Sequence, residues 1–226
     1  MGSRVDELRG ELRAAELDER FVAADPIDQF RAWYRDAEAA RVDQPEAMVL
    51  ATAGADGRPA ARVVLLRGFD AQGFAFYTNL ESAKGRDLAE NPWAALVFHW
   101  REIGRQVRVT GAVEPVPRDD AARYYAARPR GSRIGAWSSP QSTVLAGRAE
   151  LERRLADTET RFAGSEPPLP PFWGGYRVVV DRLELWQERE ARLHDRVRYR
   201  RDSGAVDGAV DAGPAAERWI VERLAP

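Results

Sequence analysis

The chain is predicted to be an α+β protein whose main body is a mostly antiparallel β-barrel carrying peripheral helices. Three observations point there. About seven or eight short runs rich in Val, Leu, Phe, Tyr and Trp are bounded by Gly, Pro, Asn and Asp, as strands are. Helical periodicity is confined to a few stretches. Strand and helix do not alternate in the regular way that a doubly wound parallel sheet requires.

Residues 1–24 are highly charged, with Val5, Leu8 and Leu12 at weak helical spacing, and read as a mobile arm; residues 25–226 read as a single domain. Asp25-Pro26 opens a helix, because Pro is tolerated at the first helical position, and Ile27, Phe30, Tyr34 and Ala37 continue it to about Arg41. Met48 to Thr52 is a short apolar strand, and Ala55-Asp56-Gly57 turns it into the run Arg62-Val63-Val64-Leu65-Leu66-Arg67. Asp70-Ala71-Gln72-Gly73 then leads to Phe74–Thr78, giving a hairpin and a three-strand meander. Strict alternation along the Arg62 run puts its two arginines on opposite faces. Ser82 caps a helix over Ala83–Glu90 that Asn91-Pro92 stops.

Trp93–Trp100 and Gln106–Val116 are two more strands, the second with Arg108 and Thr110 alternating with Val107 and Val109. Pro117-Arg118-Asp119-Asp120 opens a helix through Ala127, followed by a basic loop, Arg128 to Arg133, of the kind that often carries function. Ala149–Phe162 is a helix with Leu151 and Leu155 inward. Gly164 to Pro171 is too rich in proline for regular structure. Tyr176–Trp186, Val197–Arg201 and Arg218–Leu224 complete the strands, with Ser203–Gly213 as a small-residue loop.

Composition narrows the chemistry. At 226 residues the chain can bury a substantial core. The formal net charge of −2 disfavours coating a polyanion, so no nucleic-acid partner is expected. With no cysteine there is no disulfide, thiolate metal site or cysteine nucleophile, and two histidines, His99 and His194, make a histidine-rich metal site improbable; no metal is expected. No run reaches the length of an apolar span and the N-terminus is too charged for a secretory signal, so a cytoplasmic protein without a membrane partner is expected.

Two places concentrate binding chemistry. The only lysine, Lys84, sits at a helix start beside Tyr77, Thr78 and Ser82, where helix N–H groups and a cation both favour an anion; a plain buried strand pair with solvated arginines reads about equally well. In Arg192-Leu193-His194-Asp195-Arg196 an extended chain would put Arg192, His194 and Arg196 on one face, able to grip an anionic ligand and orient a proton-exchanging group; a solvated edge strand is the plainer alternative. Trp186 either plugs a barrel mouth or walls a planar ligand, and Gln106, Gln141 and Ser142 are neutral donors and acceptors that fit a heteroaromatic edge.

Together the ordered segments Arg62–Leu66, Phe76–Asn79, Arg128–Ser132, Ile134–Trp137, Gln141-Ser142, Trp173–Arg177 and Arg192–Arg196 resemble the pyridoxamine 5′-phosphate oxidases, the flavin enzymes of vitamin B6 synthesis, over nearly the whole chain. The resemblance implies a split β-barrel, a homodimer and FMN at the subunit interface. It implies FMN contacts from Arg62, Val63, Val64, Leu65, Leu66, Arg67, Tyr77, Thr78, Ala83 (backbone), Lys84, Gln106, Gln141, Ser142, Trp186 and Arg196. The substrate, a phosphorylated B6 vitamer, would meet Arg67, Tyr124, Arg128 and Ser132 with its phosphate, and Arg192 and His194, the expected catalytic pair, over its ring. Arg9 belongs to an N-terminal segment that folds over the substrate. The implied reaction passes a hydride from substrate to flavin, with dioxygen as final acceptor and hydrogen peroxide released.

The chain departs from the pattern at three positions. Arg67 stands where a lysine is usual, Leu12 where the arm commonly has a tyrosine, and Glu188 where a glycine usually follows Trp-Gln. Two other readings share these residues: a phenazine-type oxidase of the same fold, and a non-catalytic carrier of flavin or pyridoxal phosphate.

Overall fold

A computed structural model of the chain describes residues 3–202 and 219–226. Helix α1 (Arg4–Ala14) is capped by Ser3, whose hydroxyl and backbone exchange hydrogen bonds with Asp6. It lies against the body: Arg9 donates to the carbonyls of Ala40 and Arg41, and Arg13 donates to those of Arg101 and Glu102. Helix α2 (Pro26–Ala39) starts as its sequence requires, with the Asp25 carboxylate accepting from the N–H groups of Ile27 and Asp28. Its apolar stripe drives Phe30 into the barrel, where the ring meets Phe69, Phe74 and Phe98 at centroid distances of 4.7–5.0 Å.

Strands β1 (Ala47–Ala53) and β2 (Pro59–Leu65) form the first hairpin. The second is not the expected one. The chain leaves β2 at Leu65, and the N–H groups of Leu66 and Arg67 go to the carbonyls of Glu46 and Ala75, so β2 passes from β1 toward a separate pair. That pair is β3 (Gly68–Asp70) with β4 (Gly73–Asn79), joined by Ala71-Gln72. The meander is therefore a hairpin, a crossing and a second hairpin.

After α3 (Ala83–Glu90), β5 (Trp93–Trp100) pairs with β1 and with β6 (Arg105–Pro115). Strand β6 is long enough to serve two sheets. Residues Arg105–Thr110 pair with β8 (Arg182–Gln187), whereas Val113–Pro115 pair with β7 (Trp173–Val178), which also lies against β4. Beyond β8 come β9 (Asp195–Arg201) and β10 (Trp219–Arg223), giving the order β10-β9-β8-β6-β5-β1-β2. Every described pair is antiparallel, and the sheet curls into a half-barrel flanked by helices α4 (Arg118–Ala127), α5 (Arg130–Ser138) and α6 (Arg148–Arg161).

Three further expectations change. The single strand over Tyr176–Trp186 is two strands, because the Val179 and Asp181 N–H groups turn to the carbonyls of Ala112 and Thr110 on β6. The basic loop after Ala127 shrinks to Arg128-Pro129, with Arg130 onward helical; two glycines, Gly131 and Gly135, mask that helix in sequence. Leu155 of α6 is exposed, not inward. The predicted loop Ser203–Gly213 and the start of the last strand at Arg218 lie outside the described residues.

Candidate functional site

A cavity of about 660 Å³ opens between β2, β4, the start of α3, and helices α4 and α5, and it is within the range of small-molecule and cofactor sites. Among the described residues four cations line it, Arg62, Arg67, Lys84 and Arg128, and no carboxylate does. The bend after Leu65 brings Arg62 and Arg67 to one cavity, against the opposite faces that strict alternation predicts, since the pleat does not continue past the end of β2. Val63, Val64 and Leu65 line the same wall.

Lys84 occupies the first turn of α3, where the Ser82 hydroxyl accepts from the Gly85 N–H. Its ammonium is buried and donates to Gln141 Oε1 at 2.7 Å and to the Thr78 and Ser82 hydroxyls at 3.2 Å. Burial pushes its pKa below the ordinary lysine value, Arg62 adds to the effect and Asp87 opposes it. Arg62 is held by Thr52 at 2.6 Å and faces Asp87 at 3.6 Å.

Arg128 stands over the Trp173 ring at 5.0 Å, and its Nη1 is buried with no hydrogen-bond partner among the described residues. A buried guanidinium atom without an acceptor is costly, and an anion in the cavity would supply one. Burial holds this guanidinium below its ordinary pKa, with Arg67 acting in the same direction and Tyr124 and Tyr125 against it. Beside it Tyr124, Tyr77 and Trp173 stack nearly parallel, Tyr77 lying 4.1 Å from Tyr124 and 5.5 Å from Trp173. Gly175 leaves the room for this, since a Cβ there would sit 2.6 Å from the Tyr77 ring.

The cavity thus gathers Arg62, Val63, Val64, Leu65, Arg67, Tyr77, Thr78, Lys84, Tyr124, Arg128, Ser132 and Gln141. Leu66 is buried beside it in the neighbouring cavity that Arg67 and Tyr124 share. Ala83 is the first residue of α3, and Ser142 follows Gln141 with a left-handed backbone (φ 70°). Asn79, Gly135, Ala136, Ser139 and Trp173 also line the cavity, although sequence reasoning gave them no role; the signal for Gly135 and Ala136 was the helical spacing of Ile134 and Ser138, both buried.

A second group lies elsewhere. Gln106 on β6, Trp186 on β8 and Arg196 on β9 are directly opposite one another across three strands, so they share a face. Arg196 donates to Glu184 at 2.9 Å and to the Ala225 carbonyl at 2.8 Å, and the His194 ring lies 4.6 Å from Trp186. Arg192 is exposed in a turn over Glu190–Arg192, with Ala191 and Arg192 both left-handed (φ 53° and 61°), so the extended reading of Arg192–Arg196 fails at its first residue. Strand β8 is four strands from β2 along the sheet, about 19 Å at ~4.8 Å per strand. Arg9 is at neither group; its guanidinium is held by Ala40 and Arg41. Among the described residues no group of His, Cys, Asp and Glu is arranged to hold a metal, and no helix is long and apolar enough to cross a membrane.

Residues 29–162 match the family model described as pyridoxamine 5′-phosphate oxidase, and residues 173–226 the one described as the pyridoxine 5′-phosphate oxidase C-terminal dimerisation region. A relative from Burkholderia multivorans named pyridoxine/pyridoxamine 5′-phosphate oxidase is 52% identical over 220 residues, 97% of this chain and 98% of its own. One of the same name from Salinibacter ruber is 49% identical over 225 residues, 99% of this chain and 100% of its own. Among solved structures, PhzG from Burkholderia lata 383, in complex with tetrahydrophenazine-1-carboxylic acid, superposes with a TM-score of 0.83 at 31% identity, covering 94% of this chain and 98% of that one. An FMN-binding protein from Nostoc punctiforme shares the fold at a TM-score of 0.66 and 18% identity, with 87% of this chain and 97% of that one covered.

Proposed function

The chain belongs to the pyridoxamine 5′-phosphate oxidase family, and on that premise we propose that it oxidises pyridoxamine 5′-phosphate and pyridoxine 5′-phosphate to pyridoxal 5′-phosphate with FMN as cofactor and dioxygen as acceptor, releasing hydrogen peroxide. The observation that carries this reading is the cavity with four cations and no carboxylate, which suits two phosphate groups, one on the cofactor and one on the substrate. FMN, when bound, supplies the hydride acceptor that dioxygen then regenerates.

The residues present fit that cofactor. Buried Lys84 and Thr78 form a polar cluster with exposed Gln141 in which the ammonium has only neutral hydrogen-bond partners, and Arg62 adds charge beside it; a phosphate there would complete both. Val63 to Leu65 offer an apolar wall for a flat ring. Arg128, Ser132, Tyr124 and Arg67 would hold the substrate phosphate, with the orphaned Arg128 Nη1 taking one oxygen. Arg192 and His194 would orient the substrate ring, whose reacting carbon needs positioning more than a strong base.

Among the described residues, Gln106, Trp186, Arg192, His194 and Arg196 do not line the cavity of their own chain. We therefore assign them to the site of a second copy, so that a homodimer builds each site from both chains. The likeness to PhzG favours a second reading, a phenazine-type oxidase acting on a ring monocarboxylate, but the several donors of Arg67, Arg128 and Ser132 suit a phosphate dianion better than a single carboxylate.

The test is oxygen consumption and pyridoxal 5′-phosphate formation with pyridoxamine 5′-phosphate and with pyridoxamine. We expect the phosphorylated amine to be favoured by about a hundredfold in kcat/KM, some 2.7 kcal/mol. Equal use of both would move the phenazine-type reading ahead. A yellow protein that turns over neither amine would leave the carrier.

A further inference from the structure

The loop that presents Arg192 and His194 is tied to the N-terminal segment by arginine side chains, Arg189 first among them. Arg189 donates through Nε to the Asp195 carboxylate at 2.6 Å, closing the base of the 189–195 loop. Its other two nitrogens reach the carbonyls of Arg13, Ala14 and Ala15, the last at 2.6 Å. The Arg189 N–H donates to His194 Nδ1 at 3.1 Å, so in the neutral ring the proton sits on Nε2. From the far side Arg223 repeats the pattern, donating to Asp195 at 2.9 Å, to the Leu17 carbonyl at 2.9 Å and to Glu19 at 2.7 Å. Arg13 is fixed in turn by the Glu102 carbonyl at 2.9 Å and by Glu188 at 3.1 Å.

The loop needs such ties. Ala191 and Arg192 both hold a left-handed backbone that non-glycine residues adopt only at a cost, and Arg192 and Leu193 are exposed, so packing does not hold them there. A fork of five donors that spans one carboxylate and three carbonyls joins the loop base to residues 13–15 in a way that a compact ammonium could not.

We propose that Arg189 is a positioning residue for the substrate loop, and that residues 13–19 form a fixed strap through which Arg189 and Arg223 set the place and tautomer of His194. The role of His194 rests on the functional reading above; the tie itself does not.

The test uses the full-length, flavin-loaded protein and three variants, Arg189→Ala, Arg189→Lys and Arg13→Ala. Three measurements are made on each: the rate of thermolysin cleavage at Leu17, buried while the strap is closed; 15N NMR of the histidines; and kcat and KM with pyridoxamine 5′-phosphate. With two histidines in the chain, a His99→Gln control assigns the spectrum. In Arg189→Ala we expect cleavage at Leu17 about tenfold faster, as local opening becomes easier. The His194 nitrogens should move toward a tautomer average, and kcat/KM should fall about tenfold with flavin content unchanged. Arg189→Lys should recover part of each, and Arg13→Ala should reproduce the faster cleavage from the strap side. An unchanged His194 spectrum in a variant whose strap opens overturns the proposal, as does a fall in kcat/KM with cleavage unchanged. If Arg189→Ala does not fold, the other two variants carry the same comparison. If the unaltered protein oxidises no B6 vitamer, the functional reading fails, and cleavage with the His194 spectrum still decides the tie.

Discussion

An ammonium that donates only to neutral oxygens inside a protein lacks a negative partner, and Lys84, bonded to Thr78, Ser82 and Gln141, is in that position. Its pKa in the folded chain lies below the ordinary 10.5, first because of burial. The folded state therefore releases a proton that the unfolded state still holds as the pH rises toward 10.5, and stability climbs through that window. The ligand-free protein should gain stability between its depressed lysine pKa and the ordinary one, and Lys84→Met should lack that rise. Inorganic phosphate should flatten it by giving the ammonium its partner. Denaturant melts across pH test this, and superimposable profiles for the two proteins would remove Lys84 from anion binding. Arg128 argues the same way from an unpartnered buried Nη1. Arg128→Ala should erase most of the preference for the phosphorylated amine, whereas Arg67→Lys, at an exposed position that needs charge more than a fork, should keep it; kcat/KM for both amines with each variant checks this.

Among the elements, β6 decides the shape, because one strand pairs with β8 along its first part and with β7 at its end. Gly111 stands at the change. A Cβ there would meet the Val179 carbonyl oxygen at 1.7 Å, while Val179 and Asp181 donate to Ala112 and Thr110 on either side of it. Gly111→Ala should cost about 3 kcal/mol or more, since backbone and not a flexible side chain must give way, and a midpoint shift below about 1 kcal/mol would contradict that crossing. This corner also shows where sequence is legible. Strand β5, helix α3 and the Asp25 cap were readable because local chemistry decides them: alternation, Ser82 and Asn91-Pro92, and a carboxylate before Pro26. The break between β7 and β8 was not, because it is made by carbonyls of β6 more than sixty residues away. For the same reason the convergence of Arg62, Lys84, Arg128 and Gln141 on one cavity could be named residue by residue from a family resemblance but not deduced from spacing. The stack of Tyr77, Tyr124 and Trp173 arises from three separate elements and left no local signal.

At the scale of the whole molecule, the chain carries two groups of candidate site residues, the second of which does not line the cavity that the first builds. The cavity of β2, β4, α3 and α5 holds the cations proposed to bind phosphate, while the row on β6, β8 and β9 and the loop after β8 hold Trp186, Arg192 and His194. Residues 173–226 match a family region described as serving dimerisation, and they contain most of that second group. Val49 and Val63, opposite each other on β1 and β2, are 36% and 66% exposed, an apolar face that a second copy would cover. A twofold dimer would bring each half-site to the complementary half on its partner. That arrangement makes a quantitative prediction by complementation. One chain would carry Lys84→Met with Arg128→Ala, the other Arg192→Ala with His194→Ala, and each homodimer should be nearly inactive because both of its sites are damaged. Co-expressed in equal amounts, the chains should pair at random, half of the dimers being mixed. Each mixed dimer places both lesions in one site and leaves the other intact, so activity should return to about a quarter of that of the unaltered protein. Separate tags on the two chains allow the mixed dimer to be isolated, where the expected activity is about half. No recovery in the isolated mixed dimer would mean that each chain completes its own site, and the second group would then need another role.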